Sequence, residues 1–178
     1  MGVHRRSVLT GSIRNEGLPD VTQSYIGLGS NLGNSVKNLE EAVRKITRFA
    51  HILAVSSVFK TKPWGLTEQP DFVNAVVSIE TALTAEELLS ELLAIEKSMG
   101  RERITKWGPR EIDLDILTFG DRKFDIAKLT IPHPHMFERA FVLVPLAEID
   151  RNFEAALEKL PPEEVTGVER LREKIDIW

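Results

Sequence analysis

Lys106-Trp107-Gly108-Pro109-Arg110-Glu111-Ile112-Asp113-Leu114-Asp115-Ile116-Leu117 reads as a turn-rich, arginine-bearing loop running into a β-strand. Strand side chains alternate between faces, so Ile112, Leu114 and Ile116 can enter a core while Asp113 and Asp115 project together from the other face, about 6.6 Å apart by rise. Two carboxylates at that separation repel by roughly 2.5 kcal/mol at an effective dielectric near 20. A divalent cation or a nearby arginine would relieve this, so something positive is expected beside them. Taken alone, an Asp-x-Asp reads more readily as a solvated strand face in which Asp113 pairs with Arg110. The residues around it favour a site for metal ions and phosphate.

Immediately upstream, residues 97–110 hold five basic side chains (Lys97, Arg101, Arg103, Lys106, Arg110) against the single acid Glu102. A basic, turn-rich loop within an acidic chain suggests a small anionic ligand. Before it, Thr84-Ala85-Glu86-Glu87 is a capping box, and Leu88, Leu92, Ile95 and Met99 form a helical stripe that stops at Gly100. In residues 72–79, Val73, Ala75, Val77 and Ile79 share one strand face, leaving Phe72 and Asn74 on the other. A second strand is expected over 53–59. It follows a helix with Val36, Leu39, Val43, Ile46 and Ala50 on one face, capped by Asn34 or Ser35. Ser24-Tyr25-Ile26-Gly27-Leu28 forms the first strand, ending in the polar turn 29–34. Downstream come a hairpin turn at Gly120-Asp121 and an edge strand near 124–131, closed by Pro132 and Pro134. The order strand, helix, strand, strand, helix, strand predicts a ferredoxin-like α+β fold: an antiparallel sheet with helices packed on it. The tail after Asp150 is expected to pack loosely, with one helix around 168–175.

The chain has 178 residues, 42% hydrophobic and 28% charged, which suits a single domain with one sizeable core. Residues 1–22 read as a flexible extension and 23–178 as the domain. There is no cysteine, so disulfides, thiolate metal sites and a cysteine nucleophile are excluded, and a cytoplasmic location is compatible. A net charge of −4 argues against non-specific nucleic-acid binding. No apolar run reaches the roughly 18 residues needed to span a bilayer, so neither nucleic acid nor membrane is an expected partner. The 29–34 turn lacks the lysine of a Walker phosphate loop.

Several separated segments point one way: Gly29-Ser30-Asn31-Leu32-Gly33, Phe72-Val73-Asn74-Ala75, Gly100-Arg101-Glu102-Arg103, the 106–117 stretch, and Pro132-His133-Pro134 through Arg139-Ala140-Phe141-Val142-Leu143-Val144-Pro145-Leu146. Together they resemble the 6-hydroxymethyl-7,8-dihydropterin pyrophosphokinases of folate biosynthesis, over roughly residues 24–149. The resemblance implies a ferredoxin-like fold and ATP as co-substrate with two Mg²⁺ ions. It also implies transfer of pyrophosphate from ATP to the pterin hydroxymethyl group, with release of AMP.

Carried over by position, the resemblance makes Asp113 and Asp115 the Mg²⁺ ligands and Arg101 and Arg110 the catalytic arginines. Glu96, Arg103, Trp107, Ile116, Lys128, His133 and Arg139 fall on the ATP side, and Thr61, Gly65, Phe72, Asn74 and Phe141 on the pterin side. The residue chemistry agrees. Guanidinium groups suit bidentate contact with phosphate oxygens, an amide offers a donor and an acceptor to an aminopyrimidinone edge, and two aromatic rings can sandwich a flat heterocycle. Glu96 reads equally as a solvated helix charge, and the two phenylalanines, taken alone, as core residues. Lys106, His135 and Phe137 depart from residues common in the family at those places. A monomer is expected. A metal-dependent phosphohydrolase using Asp113, Asp115, His133 and His135 would instead release ADP, and a ligand-sensing module would show no turnover.

Overall fold

The structure is a computed structural model that describes residues 20–63, 67–100 and 108–176. Its order is β1 (Thr22–Ser30), α1 (Ser35–Ile46), β2 (His51–Val55), β3 (Phe59–Thr61), β4 (Phe72–Thr81), α2 (Ala85–Ser98), β5 (Asp113–Phe119), β6 (Phe124–Ile126), β7 (Leu129–Ile131), α3 (Ala140–Ile149), α4 (Glu154–Leu157), α5 (Pro162–Thr166) and β8 (Glu169–Arg170). The main sheet runs β5-β1-β4-β3-β8, with β2 also paired to β4. Every pairing within it is antiparallel, so the ferredoxin-like arrangement expected from the sequence is the one observed.

α1 and α2 each begin where a side chain can take up the first free amides of the helix. Asn34 accepts from the Lys37 backbone N–H at 3.1 Å, and Thr84 and Glu87 make the full capping box. α2 ends against Gly100, whose φ of +94° lies in the left-handed region that favours glycine. The inward stripes of α1 and α2, among them Leu39, Val43, Ile46, Leu88 and Leu92, are fully buried. They pack on Ile26 and Leu28 of β1, on Val73, Ala75, Val77 and Ile79 of β4, and on Leu114 and Ile116 of β5. Each such aliphatic side chain contributes about 1.5–3 kcal/mol by leaving water.

The opposite face carries a second, smaller core, in which α3 presses Val142, Leu143 and Leu146 onto Val76 and Leu117. A bulge makes room for it. Tyr25 pairs with Thr118 and Ile26 with Ile116, so Leu117 is an extra residue in β5. Without that insertion Phe119 would lie on the same face as Asp113 and Asp115. With it, Phe119 turns into the main core and is fully buried.

Four local expectations differ from what is observed. The strand expected over 53–59 is two strands, because the chain leaves the sheet at Ser56, whose hydroxyl accepts from the Val76 N–H at 2.9 Å. The edge strand expected over 124–131 is a hairpin of β6 and β7, forming its own two-stranded sheet. No helix covers 168–175; Glu169 and Arg170 instead add a short strand to β3. Nor is the tail loose. The Tyr25 hydroxyl donates to Asp150 at 2.6 Å, Phe153 stacks edge-on against Tyr25, and the Leu171 N–H bonds to the Val58 carbonyl at 2.9 Å. Burial and the Asp150 carboxylate push the Tyr25 hydroxyl up to about 12. Tyr25→Phe is therefore expected to lower stability by about 1.5–3 kcal/mol, the worth of a hydrogen bond to a charged group. Urea unfolding at neutral pH measures this, and an unchanged midpoint would remove the tether from the stabilising contacts.

Candidate active site

α3 covers only part of its face of the sheet. The remainder is a cleft of about 620 Å³. Its floor follows from the register: Gly29 lies between Asp113 of β5 and Asn74 of β4, and Gly27 between Asp115 and Val76. Glycine in a strand interior marks a close approach of ligand or backbone, and here the central strand is bare between a carboxylate wall and an amide wall. A Cβ on Gly29 would come within 3.2 Å of Asn74 Oδ1 and 3.8 Å of the Phe72 ring.

On the acidic side, Asp113 and Asp115 line the cleft, and the neighbouring Leu114 and Ile116 are buried in the main core. Arg110 Nη1 donates to Asp113 Oδ2 at 2.7 Å, so the expected positive partner is present. The same guanidinium lies over the Phe72 ring, 5.4 Å from its centroid. Arg110 Nε is buried and makes no hydrogen bond among the described residues, which leaves a donor for an anionic oxygen. Arg139, at the start of α3, is only 7% exposed and lies over the Phe141 ring at 5.6 Å. Burial presses its pKa down, while Asp115 and Asp113 hold it up.

His133 enters the cleft because the bulge residue Leu117 offers its carbonyl to the His133 N–H at 2.9 Å. Its Nδ1 accepts from the His135 N–H at 3.3 Å, so in the neutral ring Nε2 carries the proton. Burial, then the charge of Arg139, then His135 lower its pKa to about 4, against the pull of Asp113. The unfolded chain takes up this proton near pH 6.5, well above the folded one, and stability should therefore fall as pH drops from about 6.5 to about 4. Urea unfolding across that window, compared between the parent chain and His133→Asn, measures the effect. Equal slopes in the two proteins would show that other groups take up the protons.

Glu96 is neither solvated nor exposed. At 3% exposure on α2, it accepts from the Leu114 N–H at 2.8 Å, satisfying an edge amide of β5 between the two aspartates. Leu89, Leu93 and Glu96 extend the cleft around the outer edge of β5. A smaller adjoining pocket of about 280 Å³ is bordered by Leu89, Ile116, Lys128, Leu129 and His133. The Ile116 side chain itself belongs to the main core. Lys128, in the β6–β7 turn, is exposed and borders both pockets.

On the other side, the Asn74 amide donates to Thr61 Oγ at 2.8 Å, both residues being buried. Phe72 and Phe141 also line the cleft, from β4 and α3 respectively. Gly65, Arg101, Arg103 and Trp107 lie outside the described residues.

Sequence reading did not single out Asn31, which is 4% exposed. Its side chain donates to Gln69 and to the Pro70 carbonyl and accepts from the Arg110 N–H at 2.9 Å. It therefore ties the segment before β4 to the one before β5. No local pattern marks such a bridge. The alternate glycines 27 and 29 did carry a readable signal for the bare floor.

Asp113 and Asp115 suit a magnesium site. Among the described residues no third His, Cys, Asp or Glu joins them in a cluster, and Mg²⁺ takes one or two carboxylates plus waters and phosphate oxygens.

The chain is also similar to known proteins. The chain resembles solved chains of Plasmodium falciparum HPPK-DHPS, one with SDX-DHP and one wild type with pterin and p-hydroxybenzoate. TM-scores are 0.65 for both, at 15% and 16% identity over 81% and 80% of this chain. It spans 46% and 43% of their length, and at that identity the likeness speaks for the fold. Among curated proteins it is 48% identical to the 2-amino-4-hydroxy-6-hydroxymethyldihydropteridine pyrophosphokinase of Haemophilus influenzae, over 71% of this chain and 80% of that one. It is 42% identical to the enzyme of the same name in Methylorubrum extorquens, over 85% and 99%, and 40% identical to that of Bacillus subtilis, over 87% and 89%. Residues 25–151 match the family model, and the chain belongs to the 7,8-dihydro-6-hydroxymethylpterin-pyrophosphokinase (HPPK) family.

Proposed function

We infer that this chain catalyses the reaction of its family, in folate biosynthesis: transfer of pyrophosphate from ATP to 6-hydroxymethyl-7,8-dihydropterin, with release of AMP. The observation that carries the division of the cleft is the row Asp113–Gly29–Asn74 across β5, β1 and β4. Acid and guanidinium stand on one side of a bare strand, and amide and aromatic groups on the other. We assign the triphosphate to the first side and the pterin to the second.

Asp113 and Asp115 would hold two Mg²⁺ ions, which when bound supply charge neutralisation at the triphosphate and at the leaving oxygen. Arg110 and Arg139 present permanent positive charge where negative charge grows on the phosphoryl oxygens. A neutral His133 with its proton on Nε2 donates to an anionic oxygen without needing to titrate. Arg101 and Arg103 are assigned to the same positive set, and Trp107 to closure over the nucleotide. Lys128 and the pocket beside Ile116 are assigned to the nucleoside. Asn74, oriented by Thr61, reads the pterin edge, Phe72 and Phe141 hold its faces, and Gly65 is assigned to the same pocket. We assign the catalytic domain to residues 23–178, working as a monomer in the cytoplasm. Among the described residues, no helix is long and apolar enough to cross a membrane.

Incubation with ATP, Mg²⁺ and hydroxymethyl-dihydropterin tests the reading. AMP should appear in step with pterin pyrophosphate, and excess EDTA should stop it. ADP and phosphate released without pterin would favour a phosphohydrolase, and turnover undiminished by EDTA would overturn the magnesium assignment.

A further inference from the structure

α3 carries Arg139 and Phe141 into the cleft from its first turn, yet that end has no side-chain cap. A polar anchorage lies at the other end. Glu148 Oε2 accepts from the Ser57 backbone N–H at 2.9 Å, and Oε1 accepts from the Ser57 hydroxyl at 2.7 Å. Arg170 Nη2 closes a triangle, donating to Glu148 Oε1 at 3.0 Å and also to Ser57 Oγ. Ser57 belongs to the link between β2 and β3, and β3 supplies Thr61, the partner of Asn74. A single carboxylate therefore joins the helix that bears Phe141 to the strand that orients Asn74.

The Glu148–Arg170 pair is exposed, at 31% and 62%, and such pairs add little stability. The two bonds from Glu148 to Ser57 are different in kind. They are charge-assisted, and they hold a backbone amide as well as a hydroxyl. A flat ring between two aromatic faces tolerates little slack, since a gap of about 0.5–1 Å already forfeits a quarter to a half of each contact.

We propose that Glu148 is a positioning residue for pterin recognition: by clamping the last turn of α3 to the β2–β3 link, it sets the separation between Phe141 and the Phe72–Asn74–Thr61 wall. The proposal rests on the pterin assignment made above.

Steady-state kinetics of the full chain with both substrates varied tests it. Glu148→Ala should raise KM for hydroxymethyl-dihydropterin about tenfold, leaving KM for ATP, and kcat at saturating pterin, within about twofold. Glu148→Gln keeps an acceptor for the Ser57 amide and should restore most of the pterin affinity. Ser57→Ala, which removes the hydroxyl's bonds to Glu148 and Arg170 but keeps the amide bond to Glu148, should raise the pterin KM about two- to threefold, and it serves if Glu148→Ala folds poorly. An unchanged pterin KM in these variants, or a parallel rise in both KM values, would overturn the clamp. Phe141→Ala separates the two levels. If it raises the pterin KM while Glu148→Ala does not, only the clamp is refuted; if it leaves the pterin KM unchanged, the pterin assignment fails and the clamp with it.

Discussion

Asp115→Ala is expected to reduce transfer at saturating ATP and pterin by at least about 10³-fold, or roughly 4 kcal/mol of transition-state stabilisation. The side chain lines the cleft beside Asp113 on the same face of β5, and neither Arg110 nor His133 can replace a carboxylate as a Mg²⁺ ligand. The fold should survive. Deleting one of two neighbouring like charges relieves repulsion, whereas Arg139 loses part of the negative field that supports it in its buried place. These effects oppose each other, so the melting temperature should move by only a few degrees. Asp115→Asn separates charge from shape: it keeps the volume and should fail nearly as badly. Turnover within tenfold of the parent chain in either variant would remove Asp115 from the metal site.

The second large effect lies across the bare strand. Asn74→Ala should raise KM for the pterin about a hundredfold, since it removes the groups that pair with the heterocycle and leaves polar edges of the ligand unmatched. KM for ATP should stay within about twofold of its parent value. Some stability should go too, about 1–2 kcal/mol, because the amide is buried and bonded to Thr61. Thr61→Val tests orientation separately. It leaves the amide in place without its partner and should raise the pterin KM about three- to tenfold. If Asn74→Ala raised both KM values alike, the amide would be serving the sheet and not the ligand.

Much of this site is legible in the sequence. The alternation around Asp113 and Asp115, the shared face of Phe72 and Asn74, and the capping box at Thr84 are local signals of period two or one turn, and each is realised. The features that local sequence hides have a common origin. Local sequence does not mark α3 as a helix, since Ala140-Phe141-Val142-Leu143-Val144-Pro145 is apolar throughout and contains a proline, leaving no amphipathic stripe. Nothing local marks the break within 53–59, which is made by Ser56 bonding to Val76, twenty residues away. The order of the tail is invisible locally, because it comes from Asp150, Arg170 and Leu171 meeting distant partners. For Glu96 the sequence leaves a nucleotide-side residue and a solvated helix charge equally open, because its partner is an edge amide of β5.

Residue pattern alone dictated which side chains face inward, where helices start and stop, and that two carboxylates leave β5 on one side, because pleat, helical turn and cap are properties of a few neighbouring residues. Only the assembled tertiary structure decided that the Leu117 bulge sends Phe119 one way and the aspartates the other. It also decided that Gly29 lies bare between acid and amide with Gly27 beside Asp115, and that α3 stops short of covering them. Those outcomes depend on register, packing and hydrogen bonds between segments far apart in the chain, which no window of local sequence records.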